Sequence, residues 1–268
     1  MTEKKKKPVE TVRKPFLTGN PTDENTWKAA LGFFGAMILV ILMTFLVCNM
    51  MNFGNDALRI GANIAVEAVV LLILYNNAIG RGTEAVARGE ILYQRQEKGK
   101  SFTDGERAVC FHPLKGYLNA LLGMIPFLIC AIWLALIAQR QYPGAGTLPS
   151  WLDSYQDREE IMAPLASYTQ TNGPGVEDIL RLIVRIAVMP FVNMIGAENR
   201  DGLLLLERLS PLILLLPVIA YGTGYLQGVR EREKILTGIA ESERKRVRKE
   251  KKERKRRAAE SREPEQLN

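Results

Sequence analysis

The chain is poor in the residue types that build catalytic sites and disulfide-stabilised folds. Its 268 residues include three cysteines and one histidine. Cys48, Cys110 and Cys130 lie far apart, and two of them fall in or beside apolar segments, which excludes a disulfide scaffold. Cys110 and His112 are two donors where a zinc site normally takes four, and no CxxC, HExxH or GxSxG spacing occurs. We therefore expect no metal, no cofactor and no catalytic site.

Four long stretches of the chain contain a single charged residue between them. The sequence is 47% hydrophobic and 24% charged, but the two classes are segregated, which excludes a soluble globular enzyme. Each stretch has about 20 residues, enough for a helix to cross a hydrocarbon core of roughly 30 Å. Backbone groups in lipid must bond within their own segment, so each stretch is predicted to be helical. The predicted spans are 29–48, 60–80, 117–138 and 209–228.

A fifth segment, 176–197, is long enough to span but carries Arg181 and Arg185. The charge of the two ends decides how it is interpreted. Residues 1–28 contain 7 Lys and Arg against 4 acids, and residues 229–257 contain 14 against 6. Such basic ends are typical of cytoplasmic segments, and two cytoplasmic ends require an even number of spans. We predict an all-α polytopic membrane protein with four transmembrane helices and one amphipathic interfacial or re-entrant helix; the alternative is five transmembrane helices.

The same charge bias predicts the topology. Residues 81–116 contain 7 Lys and Arg and form the inner loop, whereas 139–175 contain only two and form the outer loop. A basic N-terminal tail, 1–28, and a basic C-terminal tail, 229–268, would both lie inside. The membrane domain is then 29–228. We expect a plasma membrane protein of bacterial type with both termini in the cytoplasm.

Small residues recur at every fourth position within several spans. Such spacing forms a flat stripe on a helix, against which another backbone packs closely. The pattern does not separate packing within one chain from dimerisation. The clearest candidates for helix packing are Gly61 and Ala65 in the second span and Ala220, Gly224 and Gly228 in the last.

Glu67 is the one acidic residue inside the predicted spans. It lies about seven residues, or roughly 10 Å, inside its helix, where an ionised group is costly unless it is paired, protonated or hydrated. Asn63 lies one turn earlier on the same face. Arg185 is expected at a similar depth and shares its own helical face with Arg181, so a Glu67–Arg185 ion pair is predicted. The pair would fix helix packing or, alternatively, mark a substrate or proton path.

The last predicted element is the charged segment 229–257. It is rich in Glu, Lys and Arg, and its few apolar residues do not sustain a heptad. Its basic residues are expected to attract anionic lipid headgroups, or phosphates of nucleic acid or a ribosome, although no aromatic residue is present for base stacking. Alternatively they only set the topology. The leading functional expectation is a non-catalytic scaffold or accessory subunit, with a partner protein or oligomer. The alternative is a small-molecule transporter or permease subunit using Glu67 and Arg185.

Overall fold

The structure is a computed structural model that describes residues 13–51, 54–139, 141–142, 146–147, 160, 175–196 and 198–260. Most of the predicted outer loop, 139–175, and both chain ends lie outside this description. Helices dominate the described residues, with one short antiparallel pair, β1 (Gln141–Tyr142) and β2 (Gly146–Thr147). The helices are α1 (Thr26–Met50), α2 (Asp56–Glu97), α3 (Asp104–Ala108), α4 (Lys115–Ile137), α5 (Val176–Ala187), α6 (Met189–Ile195), α7 (Arg200–Ile213) and α8 (Leu216–Glu260).

Four helical stretches are long and apolar enough to cross a membrane. They are α1, α2, α4 and the α7–α8 stretch, and they contain the four predicted spans. Many of their large apolar side chains face outward, as lipid-facing residues do, for example Leu39, Leu72 and Ile129. The prediction of a helical fold with four helices able to span a membrane is therefore confirmed.

The second and fourth spans extend far beyond their predicted ends. Helix α2 continues through the first half of the predicted inner loop, 81–116, and ends only at Glu97. Helix α8 continues from the apolar segment into the charged tail as one helix. The two helices run in the same direction and contact each other from Gly224 against Tyr75 to Arg232 against Glu90. This paired extension gives the protein a helical body outside the apolar bundle.

One end of the bundle gathers the predicted inner segments, and we call it the tail end. Residues 13–25 lie against the extensions of α2 and α8, where the Leu17 amide donates to the Gly89 carbonyl at 3.2 Å and Arg13 pairs with Glu233 at 3.1 Å. Phe111 stacks on Tyr225 with ring centroids 5.3 Å apart. The opposite end carries the α1–α2 connection. The described parts of the three segments predicted to share one side of the membrane thus lie at one end of the molecule.

The segment 176–197, predicted as a single amphipathic helix, is divided in two at Val188. Helix α5 packs on α4 and α1, whereas α6 packs on α2 and α1. The start of α5 lies at the opposite end, because Arg181 donates to the Gln139 carbonyl at 3.0 Å. The end of α6 lies there too, because the Asn193 amide donates to the Cys48 carbonyl at 3.1 Å. The last span is also divided, with a turn at Leu214–Leu215 between α7 and α8.

Candidate functional site

The two helix breaks meet in the middle of the bundle, at a cavity that contains Glu67. The cavity has a volume of about 30 Å³. Helices α2, α5 and α7 all begin at the opposite end. Glu67 lies about 16 Å from the start of α2, the break at Val188 follows about 18 Å of α5, and the break at Leu214–Leu215 follows about 21 Å of α7. Glu67 and the two breaks are therefore at similar depth. The cavity is lined by residues of α1, α2 and both breaks. Most of them are apolar, including Val188, Pro190, Leu214 and Pro217, and Thr44 and Glu67 are the polar ones. We call this space the Glu67 cavity.

Proline explains why both helices break at this depth. Pro190 is near the start of α6 and cannot continue the hydrogen-bond ladder of α5, because it has no amide hydrogen. Pro217 likewise cannot donate to the carbonyl of Ile213, which lines the same cavity. Irregular backbone at membrane depth is tolerated where it is buried in protein or lines a cavity. Residues of both breaks therefore line the same cavity as Glu67, the only acid of the predicted spans.

A polar face on α2 leads from the opposite end toward this cavity. Arg59, Asn63 and Glu67 follow at intervals of four residues and share one face of the helix. Arg59 pairs with Asp56 at 2.9 Å. The Asn63 amide nitrogen donates to the Arg59 carbonyl at 2.8 Å, but its Oδ1 oxygen has no hydrogen-bond partner among the described residues, although Asn63 is fully buried. Such an orphaned oxygen is costly without a donor, a water or a cation.

A second charged cluster lies between α5 and α7, nearer the opposite end. Arg181 Nε donates to Glu207 Oε1 at 2.9 Å, and Arg185 pairs with the same carboxylate at 2.6 Å. Arg181 also pairs with Glu177 at 2.7 Å. Arg181 and Glu207 are each only 2% exposed. We call this group the Glu207 cluster. Its two ion pairs with Glu207 hold α5 against α7.

The predicted Glu67–Arg185 pair is replaced by an Arg185–Glu207 pair. Both helices bring their side chains to comparable depth, as expected, but α7 packs directly on α5 and presents Glu207 to it. Within the described part of the chain, Glu67 forms no ion pair. The four predicted site residues therefore separate into two groups, Asn63 with Glu67 and Arg181 with Arg185. Glu207 was not predicted as a site residue, because it precedes the predicted fourth span by two residues; its position directly after a run of four leucines was the available signal.

The predicted packing residues also separate into two groups. A Cβ added to Gly228 would lie 2.5 Å from the backbone of Gly82, and Gly224 is equally close to the Tyr75 carbonyl, so both pack against α2. Gly61 has no atom of another described segment within 4 Å of such a Cβ. Gly61 and Ala65 are exposed, and Ala220 is half-buried. Packing within the chain thus accounts for Gly224 and Gly228, whereas Gly61 and Ala65 face outward.

A buried ion pair fixes the N-terminal segment at the tail end. Lys115, at the start of α4, pairs with Asp23 and also donates to the Ala108 carbonyl at 2.9 Å. Burial by itself raises the pKa of the Asp23 carboxyl, but the hydrogen bond and positive charge of Lys115 outweigh burial and lower it below its usual value. The Asp23 carboxylate is therefore ionised at neutral pH, and the pair ties residues 13–25 to the bundle.

The distal part of α8 leaves this body as an exposed helix. Residues 241–257 contain 11 Lys and Arg against 4 Glu, and beyond residue 241 every side chain described is exposed. We call this segment the basic rod. Its first cluster begins at Arg244, about 24 Å along the axis from Gly228, where the apolar part of α8 ends. That distance exceeds a Debye length of about 8 Å at physiological salt.

Comparison with known proteins adds no relative: no protein-family model, no curated protein and no solved structure matches this chain.

Proposed function

We propose that this protein moves a proton or a small cation across the membrane through the Glu67 cavity. The observation that carries the proposal is the meeting of two broken helices beside one acidic side chain in the middle of the bundle. Broken helices near the bilayer midplane are a recurrent means of binding ions in transporters, because their freed backbone groups face the ion. An intramembrane carboxylate is costly and is retained where it binds or relays charge.

The size of the cavity favours an ion over a larger substrate. A volume of about 30 Å³ accommodates one water molecule or one dehydrated ion. A small organic molecule needs several hundred cubic ångströms. This size argues against the small-molecule permease considered from the sequence.

The proposal includes the orientation of the protein. The tail end is assigned to the cytoplasm, because the basic segments 81–116 and 229–257 gather there and positively charged segments remain inside. On this orientation α5 enters from the outer face, reaches mid-membrane at Val188 and returns through α6 to the outer face. The segment 176–197 is then re-entrant, and the number of full spans is four. The plasma membrane of a bacterium is the proposed location.

Flux through reconstituted protein tests the function. Purified protein in vesicles is expected to carry protons, detected by an internal pH dye, or ²²Na⁺, detected by uptake, under an imposed membrane potential. Glu67→Gln keeps the side-chain shape but removes the charge, and the flux of whichever ion the wild type carries should fall to that of protein-free vesicles. Glu84→Gln, an exposed position on the tail-end extension of the same helix, is the matched control and should behave as wild type. Equal flux through wild type and Glu67→Gln would refute the proposal.

A second function, binding of a cytoplasmic polyanion, is favoured by the basic rod. The rod is charged around its circumference and Val247 is its one large apolar residue, so it lacks the apolar anchors on which protein interfaces rely. Phosphate backbones require only positive charge. With α8 upright in the proposed orientation, the rod would begin about 24 Å from Gly228, which is more than a Debye length of about 8 Å. Structured RNA, with closely spaced phosphates, is the proposed ligand.

The rod is tested with duplex RNA and the full chain in nanodiscs of neutral lipid. Changing Lys251, Lys252 and Lys255 to glutamine should weaken binding and lower the salt slope by about 3, one for each phosphate that is no longer neutralised. The matched control changes three exposed lysines outside the rod, Lys28, Lys98 and Lys100, and should leave the slope nearly unchanged. Equal slopes for both variants would contradict the assignment. Tighter binding to anionic vesicles than to RNA would contradict it as well.

A further inference from the structure

We propose that the basic rod binds the phosphate backbone of duplex RNA along one face only, the face that points away from α2. This inference rests on the second proposed function and names the residues that bind. Its basis is the distribution of acidic and basic side chains around α8. Because α8 is one continuous helix, the direction of each side chain around its axis follows from a rotation of about 100° per residue.

Six basic side chains lie on one side of the rod, with no acidic side chain among them. Each is within about 60° of Arg248 around the helix axis. All six are exposed. They are Arg244, Lys245, Arg248, Lys251, Lys252 and Lys255. We call this side of the rod the phosphate face; it extends over about 17 Å of the helix.

The acidic side chains that follow Glu241 occupy the opposite side of the rod. Glu243, Glu250 and Glu253 lie within about 40° of the direction opposite to Arg248. Arg246 is on that side as well and pairs with Glu250 at 3.3 Å. Its charge is thus balanced locally, whereas within the described part of the chain no residue of the phosphate face forms an ion pair. The positive charge available to a ligand is therefore concentrated on one side.

The packing of α8 on α2 shows which way the phosphate face points. Gly228 lies against Gly82, and Arg232 pairs with Glu90, so Gly228 and Arg232 mark the side of α8 that contacts α2. Both are within about 20° of the direction opposite to Arg248. The phosphate face therefore points away from α2, and the acidic side of the rod continues the surface that packs on α2.

The phosphate face ends at Glu241 on the side nearer the membrane. Glu241 lies within about 20° of Arg248 around the axis and lines a groove together with Arg13 and Arg230. Glu233, in the same groove, pairs with Arg13 at 3.1 Å. The groove thus carries charges of both signs, whereas the same side of α8 is purely basic from Arg244 onward.

A straight helix can contact the phosphates of a duplex along one side only. Duplex RNA is recognised largely through its shape and its phosphates, since its deep major groove is closed to side chains. Turning the rod by half a turn would bring Glu243, Glu250 and Glu253 toward the phosphates, and like charges that face each other are unfavourable. One orientation is therefore favoured, in which each basic side chain of the phosphate face can neutralise a phosphate and release its counterion.

Two double variants that remove the same charge from opposite sides of the rod test the inference. The full chain is placed in nanodiscs of neutral lipid, and its affinity for duplex RNA is measured at a series of salt concentrations. Arg244→Gln with Arg248→Gln should lower the salt slope by about 2, one for each phosphate that is no longer neutralised. Arg246→Gln with Arg257→Gln, on the opposite side, should leave the slope nearly unchanged. All four arginines are exposed, so neither variant removes a buried contact of the bundle.

The two possible failures give different results. If both double variants lowered the slope equally, binding would depend on total charge; the inference would be overturned and the proposed binding of RNA would stand. A larger loss in the Arg246 and Arg257 variant would overturn the inference in the same way. A wild-type protein that binds no duplex RNA even at low salt would refute the proposed binding itself and the inference with it.

Discussion

Replacing Glu207 with glutamine is expected to lower the free energy of unfolding by about 3 to 5 kcal/mol, the usual cost of removing one partner from a buried ion pair. Glu207 is 2% exposed and its Oε1 atom accepts from both Arg181 and Arg185. The neutral amide would leave two guanidinium groups opposed to each other with less compensating charge. The measurement is the unfolding free energy in detergent micelles, with thermal melting as a second readout.

A matched control is available on the surface of α8. Glu231 pairs with Lys234 at 3.0 Å, but the lysine side chain is 68% exposed. Glu231→Gln should therefore cost less than about 1 kcal/mol, as for other exposed pairs. Adding Arg185→Gln to Glu207→Gln should recover part of the loss, because it removes one of the unmatched charges. A Glu207→Gln protein as stable as Glu231→Gln would show that the cluster does not hold α5 in place.

The parts of this fold that hydropathy determines were predictable from the sequence. A helix of about 20 apolar residues is the only way to satisfy the backbone in lipid, so the four spans follow from composition. The common location of 13–25, 81–116 and 229–257 at one end follows from the even number of spans. The full length of α2 was not predictable in this way, because residues 81–97 carry the charge of a loop and are helical through their contacts with α8.

The arrangement within the bundle depends on which helices are neighbours, and hydropathy does not contain that information. Equal depth made Arg185 a reasonable partner for Glu67, yet Glu207 on the adjacent helix is the partner observed. The break at Val188 could be suspected from Pro190, but only the fold shows that it meets the break before Pro217 at Glu67. Asn63 and Glu67 were identifiable because their spacing is local to one helix.

Replacing Gly228 with alanine is expected to destabilise the protein by about 2 to 3 kcal/mol, in the range found for overpacked interiors. The added methyl group would lie 2.5 Å from the Gly82 backbone, which no side-chain movement can relieve, so α2 and α8 would have to separate. Separation would also disturb the contact of Tyr225 with the Gly82 segment and the Arg232–Glu90 pair further along. The change is measured as the unfolding free energy in detergent.

Gly61→Ala provides the matched control, because it makes the same substitution in a helix at a position with no described neighbour within 4 Å. Alanine has the higher helix propensity by about 1 kcal/mol, so this variant should be as stable as wild type or more stable. The opposite signs separate close packing from an intrinsic effect of glycine, since propensity alone would stabilise both variants. A stable Gly228→Ala protein would mean that α2 and α8 are not in close contact, and the extension of both helices beyond the membrane would then lack its main support.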